Sequence, residues 1–261
     1  MGDLKLKKEV GVSYDSEKFL YTFQNVDTNK MKKVFSRSFP CLLGKNKYES
    51  IGKTILERYG AIEKEQIDPY YLTRGDLAEK LVYDYLKSFY QEKLKIELTL
   101  NTWEKKDINF DNFGRNEKFG GMIDIAISKP KDFRAVVEVK SKSMKDLETI
   151  KESKGNEEEV MQGLFLSYLS KVDKCLMAYV FFTPEQEQEI KKGNLNFTYK
   201  DVTILMFKHM VDFPKMDTLT KVAYSTVSLF AKNISIASEY FSTSENQYLQ
   251  SFVNGGLDLP F

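Results

Sequence analysis

Two neighbouring segments limit what this chain can fold into more than any others. "MIDIAIS" (122–128) and "FRAVVEVK" (133–140) alternate apolar and other residues with a period of two, and only Lys129-Pro130-Lys131-Asp132 lie between them. That period marks β-strands, whose successive side chains point to opposite faces. A short polar link with proline reads as a hairpin connection. The alternation predicts that Ile123, Ile125 and Ile127 share one face of the first strand and that Asp124 points to the other. In the second strand Ala135, Val137 and Val139 share a face, and Glu138 and Lys140 point together to the opposite one. An Ile/Val layer is therefore expected on one side of a sheet, with Asp124, Glu138 and Lys140 gathered on the other.

Two carboxylates and an ammonium beside an apolar sheet are costly unless they pair or bind a metal. A hard divalent cation resolves the cost. Magnesium takes oxygen ligands, keeps several waters and needs few carboxylates. It polarises a phosphodiester and lowers the pKa of an attacking water. Lys140 is placed to orient that water or to offset charge in the transition state. Glu-x-Lys is also common on solvated edge hairpins, so the pair alone does not specify a site. The preceding "GGMID" and the apolar alternation add to it.

Helical periodicity supplies two further polar candidates. Over 73–89, Leu77, Ala78, Leu81, Val82, Tyr85, Leu86 and Phe89 cover about half the circumference of a helix, and Glu79 falls at the edge of that arc. Over 157–170, Val160, Met161, Leu164, Phe165, Tyr168 and Leu169 form a buried side with Gln162 at its edge. Both side chains are placed to reach inward, and both positions equally suit ordinary boundary residues. Asp68-Pro69 marks a break before the first helix, and Gly44-Lys45-Asn46 a turn within helical pieces over 35–59. Further strands are expected at 94–100, 175–182 and 201–208, and helix around 216–241. The charged stretch 142–156 is expected to be mobile. No domain boundary stands out, so residues 1–261 are expected to form a single domain, with a helical N-terminal part over about 1–70 and a helical C-terminal extension over about 213–261.

Composition excludes several chemistries. With two cysteines far apart, Cys41 and Cys175, and His209 alone, zinc and iron–sulfur sites lack ligands. Ser-His-Asp or Cys-His catalysis would rest on His209, which sits in "MFKHMVDF" and reads as a strand end. The 39 basic and 38 acidic residues leave a net charge of +1, so any nucleic-acid contact must come from a local basic channel. The opening "MGDLKLKKEVGVSYD" has no apolar core of signal-peptide length and no apolar run suffices to span a bilayer, so a soluble, cytoplasmic protein is expected.

The order of these blocks resembles the YqaJ-type viral recombinase nucleases, relatives of phage lambda exonuclease in the PD-(D/E)xK superfamily, over roughly residues 35–210. "SFPCLLGKNKYES" (38–50) is similar to the family's opening serine-to-glycine helix and turn, and "RGDLAEKLVYDYL" (74–86) to its R-G-x-x-x-E helix. "GGMIDIAIS…AVVEVKSKS" supplies D…E-x-K, and "EEEVMQGLFLSYL" resembles the helix with a glutamine and a later tyrosine.

The resemblance implies an α/β fold with a restriction-endonuclease-like core, a central mixed β-sheet flanked by helices. It implies Glu79, Asp124 and Glu138, with Val139, at a magnesium (or manganese) site, Lys140 as the catalytic lysine and Gln162 as a helper. Ser38 matches the serine that helps hold a DNA 5′-phosphate. The family's upstream arginine has no clear counterpart; Lys32, Lys33 and Arg37 are the substitutes in reach. Arg37, Arg74, Lys142 and Tyr168 join Ser38 as DNA-contact candidates, and Lys45, Lys47, Lys53, Arg115, Lys118 and Lys145 as channel candidates. Ile123 stands where the motif has proline.

The implied activity is a 5′→3′ exonuclease on linear double-stranded DNA in phage recombination, working as a homo-oligomeric ring with a single-strand annealing protein in a phage or prophage setting. A site-specific or structure-specific endonuclease and a catalytically silent DNA-binding protein are the alternatives. The cysteine cluster of related CRISPR-adaptation nucleases has no counterpart here.

Overall fold

The computed structural model describes residues 4–26, 34–46, 49–63, 67–93, 99–102, 119–128, 134–232 and 235–254. The chain forms two compact units, Met1–Gln66 with Thr218–Phe261, and Ile67–Asp217. The first encloses the second in sequence, so no single linear linker divides them. Among the described residues no helix is long and apolar enough to cross a membrane.

The N-terminal part, expected to be helical, opens instead with an antiparallel hairpin, β1 (Gly11–Asp15) and β2 (Leu20–Gln24). Alternation explains it: Tyr21 and Phe23 point to one side and are fully buried. After β3 (Val34–Phe35) come the helical pieces expected over 35–59, α1 (Phe39–Leu42) and α2 (Ile51–Arg58). Ser50 caps α2 by accepting the N–H of Lys53 at 3.0 Å.

The second unit begins with α3 (Pro69–Leu86). Asp68 caps it through the N–H of Tyr70, and Pro69 takes the first turn, where its missing N–H costs nothing. A π-helical turn, Lys87–Lys93, continues it. The central sheet is built from β4 (Thr99–Thr102), β6 (Ile125–Ser128), β7 (Arg134–Ser143), β8 (Lys174–Phe182) and β9 (Thr203–Met210), with β5 (Phe119–Gly120) preceding β6. The strand order is β4-β6-β7-β8-β9; the β7–β8 pair is parallel and the others antiparallel. The result is the expected mixed sheet with helices on both faces. The link 129–132, most of the strand expected at 94–100, and Lys32, Lys33, Lys47, Arg115 and Lys118 lie outside the described residues.

Each face has its own cover. Leu77, Ala78, Leu81, Val82 and Leu86 of α3 pack on Ile125, Ile127, Ala135, Val137, Val139, Ala178, Val180 and Phe182. Burying each large aliphatic side chain contributes roughly 2 kcal/mol. On the other face lie α4 (Leu147–Ser153) and α5 (Glu157–Leu169). The stretch 142–156 is thus not the mobile segment expected from its charge. It continues β7 to Ser143, makes a 3-10 turn at Met144–Asp146 and enters α4. Met144, Leu147 and Ile150 recur at helical spacing and pack against Cys175, Met177, Tyr179 and Phe181, which anchors it.

One expectation of facing is corrected. Ile123 does not share a face with Ile125 and Ile127; it packs with Ala126, Val136 and Leu166. The strand starts at Ile125 rather than Met122, and a bend at Asp124 breaks the alternation just before it.

After β8 comes α6 (Pro184–Lys191), started by a capping box between Thr183 and Gln186. His209 lies in β9 as expected, its Nε2 3.1 Å from the Lys154 carbonyl. The C-terminal extension is α7 (Phe213–Lys232), then β10 (Ser235–Ala237), a 3-10 turn at Ser238–Tyr240 and α8 (Thr243–Val253). Helix was expected through 241; β10 instead adds a third strand beside β2. In this first unit Tyr21 meets Phe241 edge-on at 5.6 Å, and Gly52 leaves the room that the Phe241 ring occupies.

Candidate active site

The site grows from the point where β6 begins. The last paired residues of β6 and β7 there are Ile125 and Val137. Beyond them the Val139 N–H has no strand carbonyl to meet, and the Asp124 carboxylate takes that place, with Oδ2 accepting it at 2.7 Å. The bend that removes Ile123 from its expected face falls at this same residue.

Glu138 stands on the α5 face of β7 and is 2% exposed. Its Oε1 accepts a hydrogen bond from Lys140 Nζ at 2.7 Å. Lys140 also donates to Gln162 Oε1 at 3.2 Å, which ties α5 to the strand. An ammonium only donates, so the glutamine oxygen must face it and the amide nitrogen points away. Gly163 makes this approach possible. A Cβ there would lie 2.6 Å from Cys175 Sγ, 2.8 Å from Met177 Sδ and 3.4 Å from Glu138 Cβ.

The charges act strongly on one another. Burial pushes the Asp124 carboxyl well above the usual carboxylate range; the charges of Glu138 and Glu79 add to this, while Lys140 and the Val139 N–H oppose it. For Lys140, burial works against the ammonium, but Glu138 and Asp124 outweigh it and raise its pKa. Glu79, half-buried on α3, thus acts on Asp124 through its charge.

A cation fits this chemistry. Glu138 Oε2 is enclosed and has no hydrogen-bond partner among the described residues. Beside it is a second carboxylate destabilised by negative charge. Hard oxygen donors carrying excess negative charge suit magnesium, which uses one or two carboxylates and fills its shell with water and phosphate oxygens. No group of three or more acidic, histidine or cysteine side chains forms a ready-made cage among the described residues. The carboxylates that could hold a cation are those of Asp124 and Glu138, and Glu79 acts on Asp124 through its charge.

The other candidates separate into groups. Lys142 pairs with Glu159 at 2.7 Å. Arg74 donates to Glu187 at 3.0 Å and Ser141 Oγ at 3.2 Å, and lies over the Tyr70 and Tyr71 rings at 5.4 Å each. Tyr168 donates to Asp217 Oδ1 at 3.1 Å. Ser38 and Arg37 belong to the first unit. Arg37 is exposed and 3.9 Å from Glu49. Ser38 is buried, and its Oγ accepts from Arg58 Nη2 at 2.8 Å. Sequence reasoning did not single out Arg58. It lies 20 positions from Ser38 in the chain, at the end of α2, and its guanidinium sits 4.5 Å over the Phe35 ring. Burial lowers its pKa. Basic residues in last helical turns are common, so no local signal marked it.

No family model matches the chain, and no curated protein matches it. Among solved structures it is similar to the alkaline exonuclease LHK-Exo from Laribacter hongkongensis, with a TM-score of 0.47 and 13% identity over 79% of this chain and 93% of that one. The same enzyme in complex with dAMP gives 0.48 and 13%, over 89% and 98%. A phage related exonuclease from Haemophilus somnus 129PT gives 0.47 and 15%, over 76% and 93%. At such TM-scores and identities these likenesses describe those proteins and leave the function of this chain to its own geometry.

Proposed function

We propose that this chain is a magnesium-dependent deoxyribonuclease that degrades linear double-stranded DNA from its ends, in the 5′→3′ direction. The observation that supports this most is the array of Asp124, Glu138, Lys140 and Gln162, in which an enclosed carboxylate oxygen without a partner lies beside a shared ammonium.

In this reading Asp124 and Glu138 hold the cation, with Glu79 and Val139 as further candidate positions. When bound, the cation supplies Lewis-acid polarisation of the phosphodiester and a more acidic water. The chain's own residues do the rest. Glu138 keeps the Lys140 ammonium in place at 2.7 Å, so it is charged and oriented before substrate arrives. Lys140 then has one donor to spare for the attacking water or a phosphate oxygen that gains charge. Gln162 accepts from Lys140 and keeps its amide N–H groups to donate to the substrate. Ser38, with Arg58 donating to it, forms the part of the reading that binds a terminal phosphate; a guanidinium fork suits phosphate oxygens. A homo-oligomeric ring and a single-strand annealing partner remain part of the proposal.

The test is digestion of end-labelled linear duplex in magnesium or EDTA, with and without a 5′-phosphate, beside covalently closed circular DNA. Magnesium-dependent loss of linear DNA, faster with the 5′-phosphate, is expected. Cutting of closed circles favours an endonuclease on the same core. No cleavage of either substrate removes the nuclease reading.

A further inference from the structure

Two rungs join β7 to α5. Lys140 donates to Gln162 at 3.2 Å, and Lys142 donates to Glu159 Oε1 at 2.7 Å. Lys140 and Lys142 are two residues apart on one strand, so they face the same way about 6.6 Å apart. Glu159 and Gln162 are three apart on α5 and are neighbours on its surface. The lysine spacing is comparable to that of consecutive phosphates along one nucleic-acid strand.

Glu159 is an incomplete partner for Lys142. The two side chains keep 18% and 21% exposure, so water reaches the pair and weakens it. Glu159 Oε2 is enclosed without a hydrogen bond of normal geometry among the described residues. Glu159 also lies in the first turn of α5, where the helix dipole already favours its charge. The dipole and the water at the pair offset part of the charge that Glu159 keeps when the ammonium leaves it for a phosphate.

We propose that Lys142 contacts the phosphate next to the one cleaved, on the same strand, and that Glu159 holds its ammonium in line until that strand displaces it. This rests on the nuclease reading, with Lys140 at the scissile phosphate. The ligand is a run of at least two consecutive backbone phosphates, recognised by charge and spacing and not by base.

The experiment uses the full chain and a duplex carrying one uncharged methylphosphonate, moved in turn along the linkages of the end that is cleaved. Cleavage is followed in magnesium and binding in EDTA. Lys142→Gln is expected to raise KM on the order of tenfold. It should leave kcat unchanged and reduce the log–log salt slope of binding by about one. A methylphosphonate at a linkage beside the cleaved one should weaken the wild type and cost Lys142→Gln nothing further. Glu159→Gln should bind more tightly than wild type, and Lys142→Arg should keep most of the affinity.

Equal KM and salt slope for Lys142→Gln and wild type overturn the proposal. So do equal methylphosphonate penalties in both proteins, or a fall in kcat with KM unchanged. If Lys142→Gln is unstable because Glu159 loses its counter-charge, Lys142→Gln/Glu159→Gln carries the same comparison. Failure of the wild type to cleave overturns the nuclease reading; the EDTA arm then still decides whether Lys142 meets a phosphate.

Discussion

Asp124 Oδ2 accepts the main-chain N–H of Val139 at 2.7 Å, just past the last β6–β7 residue pair, Ile125 with Val137. One carboxylate therefore completes the hydrogen bonding of the sheet and interacts through its charge with Glu138 and Lys140. The hydrogen-bonding role and the charge are separable by mutation.

Asp124→Asn separates them. The asparagine oxygen still accepts the Val139 N–H, so the strand end is kept. The lost charge removes the burial penalty, and the repulsion with Glu138 and Glu79, that push the Asp124 carboxyl upward. The metal-free variant is expected to be as stable as wild type or more stable; for a chain of this size 1 kcal/mol corresponds to about 2–4 °C in Tm. Calorimetry with manganese should show weakened binding, and digestion should be lost. A lower Tm with unchanged metal binding would contradict both expectations.

Lys140→Ala tests the ammonium. Removing one preorganised donor to developing charge costs on the order of 100-fold in kcat or more. Glu138, 3% exposed in its side chain, loses its counter-charge, so some stability is lost too, but the core on both faces of β7 is untouched. Circular dichroism should be unchanged and single-turnover digestion abolished. Digestion at the wild-type rate would remove Lys140 from the chemistry.

Much of this site was legible because strands and helices write their faces into the sequence at fixed periods. The alternation through Glu138 and Lys140, and the helical arcs that put Glu79 and Gln162 at their edges, needed no tertiary information. Ile123 was misplaced because a bend at Asp124 has no periodic signature. The capping box Thr183-Pro184-Glu185-Gln186 and the alternation of Tyr21 and Phe23 are local signals of α6 and β2. The Arg58–Ser38 bond and the close approach at Gly163 were not readable at all, since each depends on which elements meet.

The two cysteines give a pH prediction. Burial pushes the Cys41 thiol up to about 12, and the charge of Glu49 adds to it. Burial does the same for Cys175, also to about 12. Both start from 9.0, so below that pH the thiols are neutral in folded and unfolded chains and contribute no pH dependence. Above 9.0 the unfolded chain releases these protons first, the folded chain binds more, and stability falls as pH rises toward 12. Melting curves should show this decline, and Cys41→Ala and Cys175→Ala should each flatten it. Near pH 8 a thiol reagent should label neither cysteine in the native protein and both in denaturant. Rapid native labelling would mean that one thiol is not enclosed.

Gly163→Ala tests how the site is held. Alanine favours helix by about 1 kcal/mol over glycine, so on propensity alone the change would stabilise α5. Sterics oppose it, because the new Cβ would lie 2.6 Å from Cys175 Sγ and 2.8 Å from Met177 Sδ. Overpacking of this kind costs roughly 1–3 kcal/mol, so the net change is expected to be destabilising. The least strained response is for α5 to move off the sheet, which lengthens the 3.2 Å contact of the neighbouring Gln162 with Lys140. Cleavage should therefore fall while duplex binding persists. Cys175→Ala removes one of the two colliding sulfurs, so Gly163→Ala/Cys175→Ala should recover both Tm and cleavage in part. Recovery of Tm without recovery of cleavage would show that Gly163 holds the helix but does not set Gln162 against Lys140.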